Sequence, residues 1–400
     1  MSSVSQILDD IQVRGLDAAL DYTQQFDGAV VSPSQVLWDP TAVPPVTLPQ
    51  AEMEALAFAA TNIRQFHEAT RPKDVLISLE PGIELAERYV PLKRVGIYVP
   101  NGGYPLVSSL LMQVIPAQVA GVSDIVVAIA PRGGLDLDPR WLFSLQMLNI
   151  SHVLRIGGAQ AIGCLAYGFN NFSPVDLIAG PGNRYVTQAK QEAFRRGLCG
   201  IDVIAGPSEV LVIVSDPLLA PMAAYDLLAQ AEHASDAKGT LVSWNPAVHQ
   251  TVENILAMER AQNTAPLGQI ELRWVSGPEQ AVALANRMAP EHLGLMGREA
   301  ESLESDIRTA GALFVGQYAG QALGDYTAGP SHVLPTGGSG RFLSGLTTRT
   351  FMRRMSVIRT QDDLPDTYFH HTEKLAQMEG LHYHEKSMRV RRQRKETLKR

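Results

Sequence analysis

Apolar and polar positions alternate along two parts of the chain in the manner of a parallel α/β protein. Short runs rich in Val, Ile and Leu are bounded by Gly or Pro, and each is followed by a helix-length amphipathic stretch. The first part predicts strands at 94–99, 124–130, 153–156 and 176–179. The second part predicts strands at 209–214, 240–244, 268–275, 293–296 and 312–315. This order of elements favours an α/β fold with two parallel-sheet lobes.

The segments outside these two parts are predicted to be helical or irregular. Residues 1–24 read as an N-terminal helical segment, and the strand signal fades after about residue 345. We therefore expect a first lobe built from 25–94 together with 209–345, and a second lobe over 95–208 that binds the cofactor. Residues 346–400 are expected to form a helical C-terminal tail. The crossing between the lobes is placed at Ala205-Gly206-Pro207-Ser208.

Composition narrows the class of protein. Of the 400 residues, 45% are hydrophobic and 19% are charged, which is an ordinary globular balance. The formal net charge of −7 argues against nucleic acid as the main partner. The two cysteines, Cys164 and Cys199, are too few for a disulfide framework, so we expect a reducing, cytoplasmic setting. The most apolar stretch, Val114–Pro131, is interrupted by polar residues, and we expect neither a membrane span nor a signal peptide.

The C-terminal end is basic, although the chain as a whole carries a net negative charge. The last fifteen residues contain eight Lys or Arg and one acid. A solvated, fraying helix end is the expected structure. A tail that binds phosphate or nucleic acid stays open as the alternative, and deletion of residues 387–400 would distinguish the two.

The sequence lacks the standard nucleotide-binding and hydrolase fingerprints. No GxGxxG follows a strand, and there is no GxxxxGK[ST], GxSxG or HExxH motif. The glycine-containing loops at strand ends are candidate ligand-binding positions: 98–103, 157–160, 179–183 and 205–209. Glycine lets backbone N–H groups approach a ligand, and ligands of open α/β sheets bind beyond the carboxyl ends of the strands. We therefore expect these loops to share one ligand cleft.

Polar side chains at three places could carry chemistry. Gln230 and His233 are three residues apart near a helix end, so both side chains emerge on one face. Such a histidine, taken alone, is more often buried or a helix cap than a metal ligand. Glu291 and His292 follow a helix end and could act as a general acid/base pair. An isolated Glu-His pair, however, more often lies on the protein surface than in a catalytic site. Asp325 lies in a glycine-rich loop and could supply an oxygen ligand.

The C-terminal tail adds two more imidazoles. His382 and His384 are two residues apart, so at most one of them is expected to reach a given site. A Gln, two His and an Asp would give Zn²⁺ a mixed nitrogen and oxygen ligand set, as catalytic zinc sites have.

These clusters taken together resemble histidinol dehydrogenase. The resemblance runs from about Gly15 to Val390 and rests on motifs that occur in the family's order. They are Val95-Gly96-Ile97-Tyr98-Val99-Pro100, Gly157-Gly158-Ala159-Gln160, Gly180-Pro181-Gly182-Asn183, Gly206-Pro207-Ser208-Glu209, Gln230-Ala231-Glu232-His233, Ala289-Pro290-Glu291-His292-Leu293 and Gly324-Asp325-Tyr326. The chain departs from the family's usual pattern at 101–104, 234–236 and Gly294, which bears on substrate identity.

The resemblance implies a role for each matched residue. The ligands of one zinc ion per subunit would be Gln230, His233, Asp325 and His384. His384 would come from a partner subunit, so the resemblance implies a homodimer with a shared active site and a helical C-terminal dimerisation tail. The two lobes would be Rossmann-like but without the GxGxxG fingerprint. Glu291 and His292 would be the acid/base pair. The substrate would also contact Ser208 and Glu379, with His332 as a weaker candidate, and NAD would contact Tyr98, Gln160 and Asn183.

The implied reaction is oxidation of L-histidinol to L-histidinal and then to L-histidine, with two NAD⁺ used in turn. Zn²⁺ would bind the amino alcohol, and His292 would take the hydroxyl proton. A relative that oxidises another small polar alcohol, such as a sulfonated propanediol, is the first alternative. A non-catalytic zinc-binding protein is the second.

Overall fold

The computed structural model describes residues 3–101, 105–131, 134–203, 206–263 and 266–398. These residues form two compact units. The first unit comprises Met1–Arg71 and Pro91–Phe351, and the second comprises Pro72–Val90 and Met352–Arg400.

The strands are β1 Leu37–Trp38, β2 Val75–Glu80, β3 Ile83–Pro91, β4 Arg94–Val99, β5 Asp124–Ile129, β6 His152–Leu154, β7 Leu177–Ala179, β8 Gly200–Ile201, β9 Glu209–Val214, β10 Lys238–Ser243, β11 Gln269–Trp274, β12 His292–Met296, β13 Ala312–Val315 and β14 Met352–Thr360. The α-helices are α1 Val4–Arg14, α2 Leu16–Asp27, α3 Gln50–Ala69, α4 Val107–Ala120, α5 Pro139–Met147, α6 Gly158–Tyr167, α7 Arg184–Arg195, α8 Ala220–Ala231, α9 Pro246–Gln262, α10 Pro278–Met288, α11 Arg298–Glu301, α12 Gln321–Tyr326, α13 Asp366–Met378 and α14 His382–Leu398.

The first unit contains the two predicted parallel sheets. One sheet has the strand order β1-β6-β5-β4-β7-β8, and its strands pair in parallel except for β1, which is antiparallel to β6. The other sheet has the order β11-β10-β9-β12-β13 and is parallel throughout. The predicted α/β class with parallel sheets is therefore confirmed.

Strand β9 shows why the second sheet forms. Val210, Val212 and Val214 pack with α8 and α9 on one face, whereas Leu211 and Ile213 pack with α10 on the other. Successive side chains of a strand point to opposite faces. A central strand that is covered on both sides therefore buries all of its side chains, which is why its sequence is apolar without interruption.

The observed sheets differ from the predicted grouping of segments. Strand β1 pairs with β6, so residues 37–38 belong with the 95–208 lobe and not with 209–345. Strands β2 and β3 form a third sheet with β14, in the order β14-β3-β2. The tail is thus not entirely helical. The sequence of β14 is rich in Arg and Met and lacks a clear apolar alternation, so it becomes a strand through pairing with β3.

The N-terminal segment is two helices where one was predicted. Gly15 separates α1 from α2 and has a φ of 60°, a left-handed conformation that favours glycine and ends the first helix. Ile7, Leu8 and Ile11 of α1 are buried in the same core as α6, which ties this segment to the first sheet. Of the helices in the described residues, none is long and apolar enough to cross a membrane.

His67 gives the first unit a built-in acid sensitivity. It is fully buried on α3, and within the described residues neither ring nitrogen has a hydrogen-bond partner. Burial lowers the pKa of His67 from 6.5 to about 4. The unfolded chain therefore takes up a proton before the folded chain does as the pH falls. The contribution of neutral His67 to the free energy of unfolding should be fully present above pH 6.5. The free energy of unfolding should fall by up to ~3 kcal/mol as the pH approaches 4.

The measurement is urea unfolding of wild type and His67→Leu at pH 8 and near pH 4.5. Leucine is apolar and does not titrate, so the variant should lose less stability than wild type over this interval. Parallel losses in the two proteins would show that His67 is not the source of the pH dependence.

Candidate active site

The candidate acid/base pair lies at the amino edge of the second sheet. Glu291 immediately precedes β12, His292 begins it, and Glu209 begins the neighbouring strand β9. Parallel strands align their amino ends along one edge, which brings these three residues together. The pair thus lies at a strand entry, as the sequence predicts, and at the edge opposite to the carboxyl ends of this sheet.

Helix α8 returns to the same edge. It follows β9 and runs back over the sheet, so its last turn, with Gln230, ends near the amino ends of the strands. The backbone carbonyl groups at a helix C-terminus carry partial negative charge, which favours a cation nearby. Gln230 is fully buried, whereas His233, just beyond the helix, is exposed.

His292 is held in one tautomer by the backbone. Its Nδ1 lies 3.2 Å from the carbonyl oxygen of Glu209. A carbonyl oxygen can only accept a hydrogen bond, so Nδ1 carries the proton and donates. The other ring nitrogen, Nε2, lies 3.6 Å from Oδ1 of Asp325 and faces the candidate metal ligands. His292 is thereby arranged to accept a proton at Nε2.

The carboxylates around His292 have shifted pKa values. Burial raises the pKa of Glu291 to about 7, although the charge of nearby His292 and the N–H of Glu209, 2.8 Å from Oε2, oppose the shift. Burial also acts to raise the pKa of Asp325, but the hydrogen bond that Nε2 of His292 donates when the ring is protonated, together with the charge of that ring, outweighs burial and lowers it. For His292, burial is outweighed by Asp325 and Glu291, and its pKa is raised. The pair can therefore exchange protons near neutral pH.

Two of the three candidate metal ligands of this unit, Gln230 and Asp325, meet at Gln321. Its Nε2 donates to Oε1 of Gln230 at 2.5 Å and to Oδ2 of Asp325 at 3.4 Å. His233 is close enough for its charge to contribute to lowering the pKa of Asp325. Within the described ranges, no three His, Cys, Asp or Glu side chains are grouped so as to hold a metal ion. The set in this unit is one amide, one imidazole and one carboxylate.

His332 supports the backbone of Asp325. Its Nδ1 donates to the carbonyl oxygen of Asp325 at 2.9 Å, and its Nε2 lies 3.4 Å from Oγ of Ser109. Burial lowers the pKa of His332, which favours the neutral ring. Ser208 is half-buried, and its carbonyl oxygen accepts from the N–H of Lys238. Both residues lie within or beside the amino-edge cluster, and their roles toward a substrate stay predictions.

The candidate cofactor residues lie near the carboxyl ends of the first sheet. The hydroxyl of Tyr98 accepts from the N–H of Gly158 at 3.2 Å. Gln160 is buried in the first turn of α6 and donates to Oδ2 of Asp27 at 3.2 Å. Asn183 caps α7, because its Oδ1 accepts from the N–H groups of Tyr185 and Val186.

The loop before Asn183 is hydrogen-bonded to a buried ion pair. Gly180 has a φ of 120°, and a Cβ there would lie 2.0 Å from the carbonyl oxygen of Tyr98, so only glycine fits. Its N–H donates to Oδ2 of Asp202 at 2.7 Å, and its carbonyl accepts from Nζ of Lys190 at 2.8 Å. Lys190 and Asp202 also pair directly.

Some predicted residues fall elsewhere. Glu379 and His384 belong to the second unit, where Glu379 follows α13 and His384 lies on α14, and both are exposed. His382 is on the same helix, with Nδ1 3.9 Å from Oε2 of Glu385. The predicted loop residues Gly102, Gly103 and Ala205 lie outside the described residues.

Sequence reasoning gave no individual role to four residues that contact the candidate site residues or their loops: Glu209, which it placed only within a candidate loop, Gln321, Lys190 and Asp202. Gln321 precedes Asp325 by four residues, the spacing of side chains on one helix face, and that signal could have identified it. The Lys190–Asp202 pair gives no such local signal.

Comparison with known proteins identifies the family. The profile described as histidinol dehydrogenase matches residues 1–392. Histidinol dehydrogenase of Mesorhizobium japonicum is 39% identical over 402 residues, which cover 98% of this chain and 92% of the relative. That of Rhizobium meliloti is 39% identical over 404 residues, covering 97% and 91%. The crystal structure of histidinol dehydrogenase from Elizabethkingia anophelis matches with a TM-score of 0.87 at 31% identity, covering 97% of this chain and 91% of that one. The chain therefore belongs to the histidinol dehydrogenase family of oxidoreductases.

Proposed function

We propose that this chain is a zinc-dependent, NAD-linked dehydrogenase that oxidises L-histidinol through L-histidinal to L-histidine. The observation that carries the proposal is the buried Glu291–His292 pair beside Asp325, at an edge where α8 also presents Gln230. Its membership of the family supports the same reaction, which completes histidine biosynthesis.

The residues at this edge fit a zinc ion. An amide oxygen, an imidazole nitrogen and a carboxylate are ligands that Zn²⁺ accepts, and catalytic zinc sites combine such groups. The fit is supported by an unpaired buried atom, since Nε2 of Gln230 has no hydrogen-bond partner among the described residues. Gln230, His233 and Asp325 would hold the ion with His384 of a second copy of the chain. Bound zinc would supply a Lewis acid for the substrate hydroxyl, and bound NAD⁺ would accept the hydride.

His292 and Glu291 divide the proton transfers. With Nδ1–H held by Glu209, Nε2 of His292 takes the hydroxyl proton as hydride leaves the carbinol carbon. The second oxidation requires a hydrated aldehyde. Glu291 has a pKa near 7, so it can accept a proton from the attacking water at neutral pH. Glu291 is 7% exposed, and a site closed to bulk water would protect the aldehyde intermediate.

The cofactor would lie at the carboxyl edge of the first, Rossmann-like sheet. Tyr98, Gln160 and Asn183 lie at or just beyond its strand ends, beside the starts of α6 and α7. Helix N-termini favour the phosphate groups of a dinucleotide. The tight Gly180 turn brings backbone close to Tyr98 without the GxGxxG fingerprint.

The second unit supports a homodimer with a shared site. Its described apolar core is small and centres on Ile83, Leu364 and Phe369. Strand β2 at the sheet edge exposes Leu76 and Leu79 by 63% and 57%. An exposed apolar edge strand needs a cover, and a second copy of the chain would provide it while contributing Glu379 and His384. The buried, free cysteines fit a reducing, cytoplasmic setting.

The proposal is tested by NADH formation from L-histidinol with purified protein. We expect two NADH per histidinol, loss of activity after chelation and recovery when zinc is added. A parallel assay with a sulfonated propanediol is the substrate control. Turnover of that alcohol with histidinol untouched would overturn the substrate assignment, and activity that survives chelation would overturn the metal assignment.

A further inference from the structure

Gln321 contacts two of the candidate metal ligands at once. It is 3% exposed and begins α12, the short helix that also carries Asp325. Its amide nitrogen spans Oε1 of Gln230 and Oδ2 of Asp325, at 2.5 and 3.4 Å. A single side chain therefore links the oxygen ligand presented by α8 to the one presented by α12.

Each of the two glutamines keeps one unsatisfied atom. Nε2 of Gln230 and Oε1 of Gln321 are both buried, and neither has a hydrogen-bond partner in the part of the chain that the structure describes. One atom is a donor and the other is an acceptor, so the unsatisfied atoms are complementary. Turning both amides over would pair these two atoms and free Oε1 of Gln230, at the cost of the 3.4 Å hydrogen bond from Gln321 to Asp325, whose Oδ2 would then also be free for the ion.

That opposite orientation is the one a cation requires. A metal ion binds an amide through its oxygen, since the amide nitrogen offers only donors. If Oε1 of Gln230 turns to the ion, its Nε2–H₂ group must find an acceptor in a buried site. We propose that Gln321 is a positioning residue of the metal site, whose Oε1 accepts from Nε2 of Gln230 and thereby fixes the ligand oxygen of Gln230 toward the ion.

The amide groups of Gln230 and Gln321 can turn over while α8 and α12 stay in place. Asp226, one helical turn before Gln230, packs against the start of α12, where a Cβ on Gly320 would lie 3.2 Å from its carboxylate oxygen. This close approach shows that the start of α12 lies directly beside α8. Reorientation of two side-chain amides needs no movement of either helix.

The inference rests on the proposed metal-dependent function and is tested on the full-length protein, stripped of metal, by titration with Co²⁺. Dissociation constants and the visible absorption bands of bound Co²⁺ are the readouts. Gln321→Met keeps the length of the side chain but removes its donor and acceptor, and we expect at least about tenfold weaker binding. Gln321→Glu keeps an acceptor for Gln230, and it should bind Co²⁺ as tightly as wild type or more tightly. Exposed Gln262→Met at the end of α9 is the matched control and should match wild type.

Each result decides a different point. Wild-type affinity and spectrum in Gln321→Met would overturn the role of Gln321 and leave the proposed function intact. Binding by Gln321→Glu as weak as that of a folded Gln321→Met would overturn the acceptor role, and Gln321→Glu decides alone if the methionine variant does not fold. Failure of the wild type to bind either Co²⁺ or Zn²⁺ would overturn the proposed metal site and this inference together.

Discussion

Replacing His292 with asparagine is expected to lower kcat by roughly 10²–10⁴-fold, the usual contribution of a positioned general base. Asparagine places an N–H₂ group where Nδ1 of the ring donates to Glu209, so the hydrogen bond to the backbone is kept. It removes Nε2, the atom that faces Asp325 and would take the substrate proton. The measurement is steady-state NADH formation from L-histidinol, with Co²⁺ affinity recorded to test whether the proposed metal site is retained.

The matched control is His249→Gln. His249 lies outside the site, and its Nε2 contacts the carbonyl oxygen of Ser243 at 3.2 Å, a contact that a glutamine amide can reproduce. We expect this variant to retain wild-type kcat. A His292→Asn enzyme with kcat within about threefold of wild type would contradict the role of His292 as base.

The same variant also tests whether the active site is shared between two subunits. Mixed with His384→Asn after subunit exchange, it should restore activity, because half of the dimers combine both chains and each of these holds one intact site. The expected recovery is about a quarter of the wild-type activity. If His384 instead serves the site of its own chain, every site in the mixture is defective and no activity returns.

Replacing Lys190 with methionine is expected to destabilise the protein by about 3–5 kcal/mol. The side chains of Lys190 and Asp202 are 4% and 0% exposed, so the variant leaves a carboxylate buried without its cation. The lysine also donates to the carbonyl oxygens of Gly180 and Val203, at 2.8 and 3.3 Å. The loop before Asn183 should therefore loosen, and the KM for NAD⁺ should rise together with the loss of stability. Urea unfolding and NAD⁺ titration of the rate are the measurements.

An exposed ion pair on the same helix is the matched control. Arg195 is 71% exposed and pairs with Glu192 at 2.7 Å. Arg195→Met should change the free energy of unfolding by no more than about 1 kcal/mol, because water screens such pairs. Lys190→Met/Asp202→Leu should recover part of the loss by removing the stranded charge. Equal effects of Lys190→Met and Arg195→Met would mean that the buried pair does not hold this loop.

Local pattern predicted the second sheet well. The run Val210–Val214 is apolar throughout and short, which is typical of a central parallel strand, and it is buried on both faces. The end of α10 before Pro290 likewise placed Glu291 and His292 at a strand entry. These features depend on neighbouring residues, so the sequence contains the information directly.

The local sequence pattern did not predict strands whose pairing partners are distant in the sequence. Strand β14 lacks apolar alternation and was expected to be helix or connector. Strand β1 has only two residues, and its antiparallel pairing with β6 places it in the first sheet. In both cases the partner strand supplies the backbone hydrogen bonds that define the strand, and local propensity does not reveal that partner.

The sequence by itself determined the family, the α/β class and the residues that carry the proposed chemistry. Only the tertiary structure decided that they lie together, because the return of α8 and the register of β9 beside β12 bring Gln230, Glu209 and His292 to one edge of the second sheet. It also revealed Gln321, which reaches Gln230 across 91 positions of the chain. Periodicity reports which face of an element is buried, whereas such contacts depend on how the elements pack against one another.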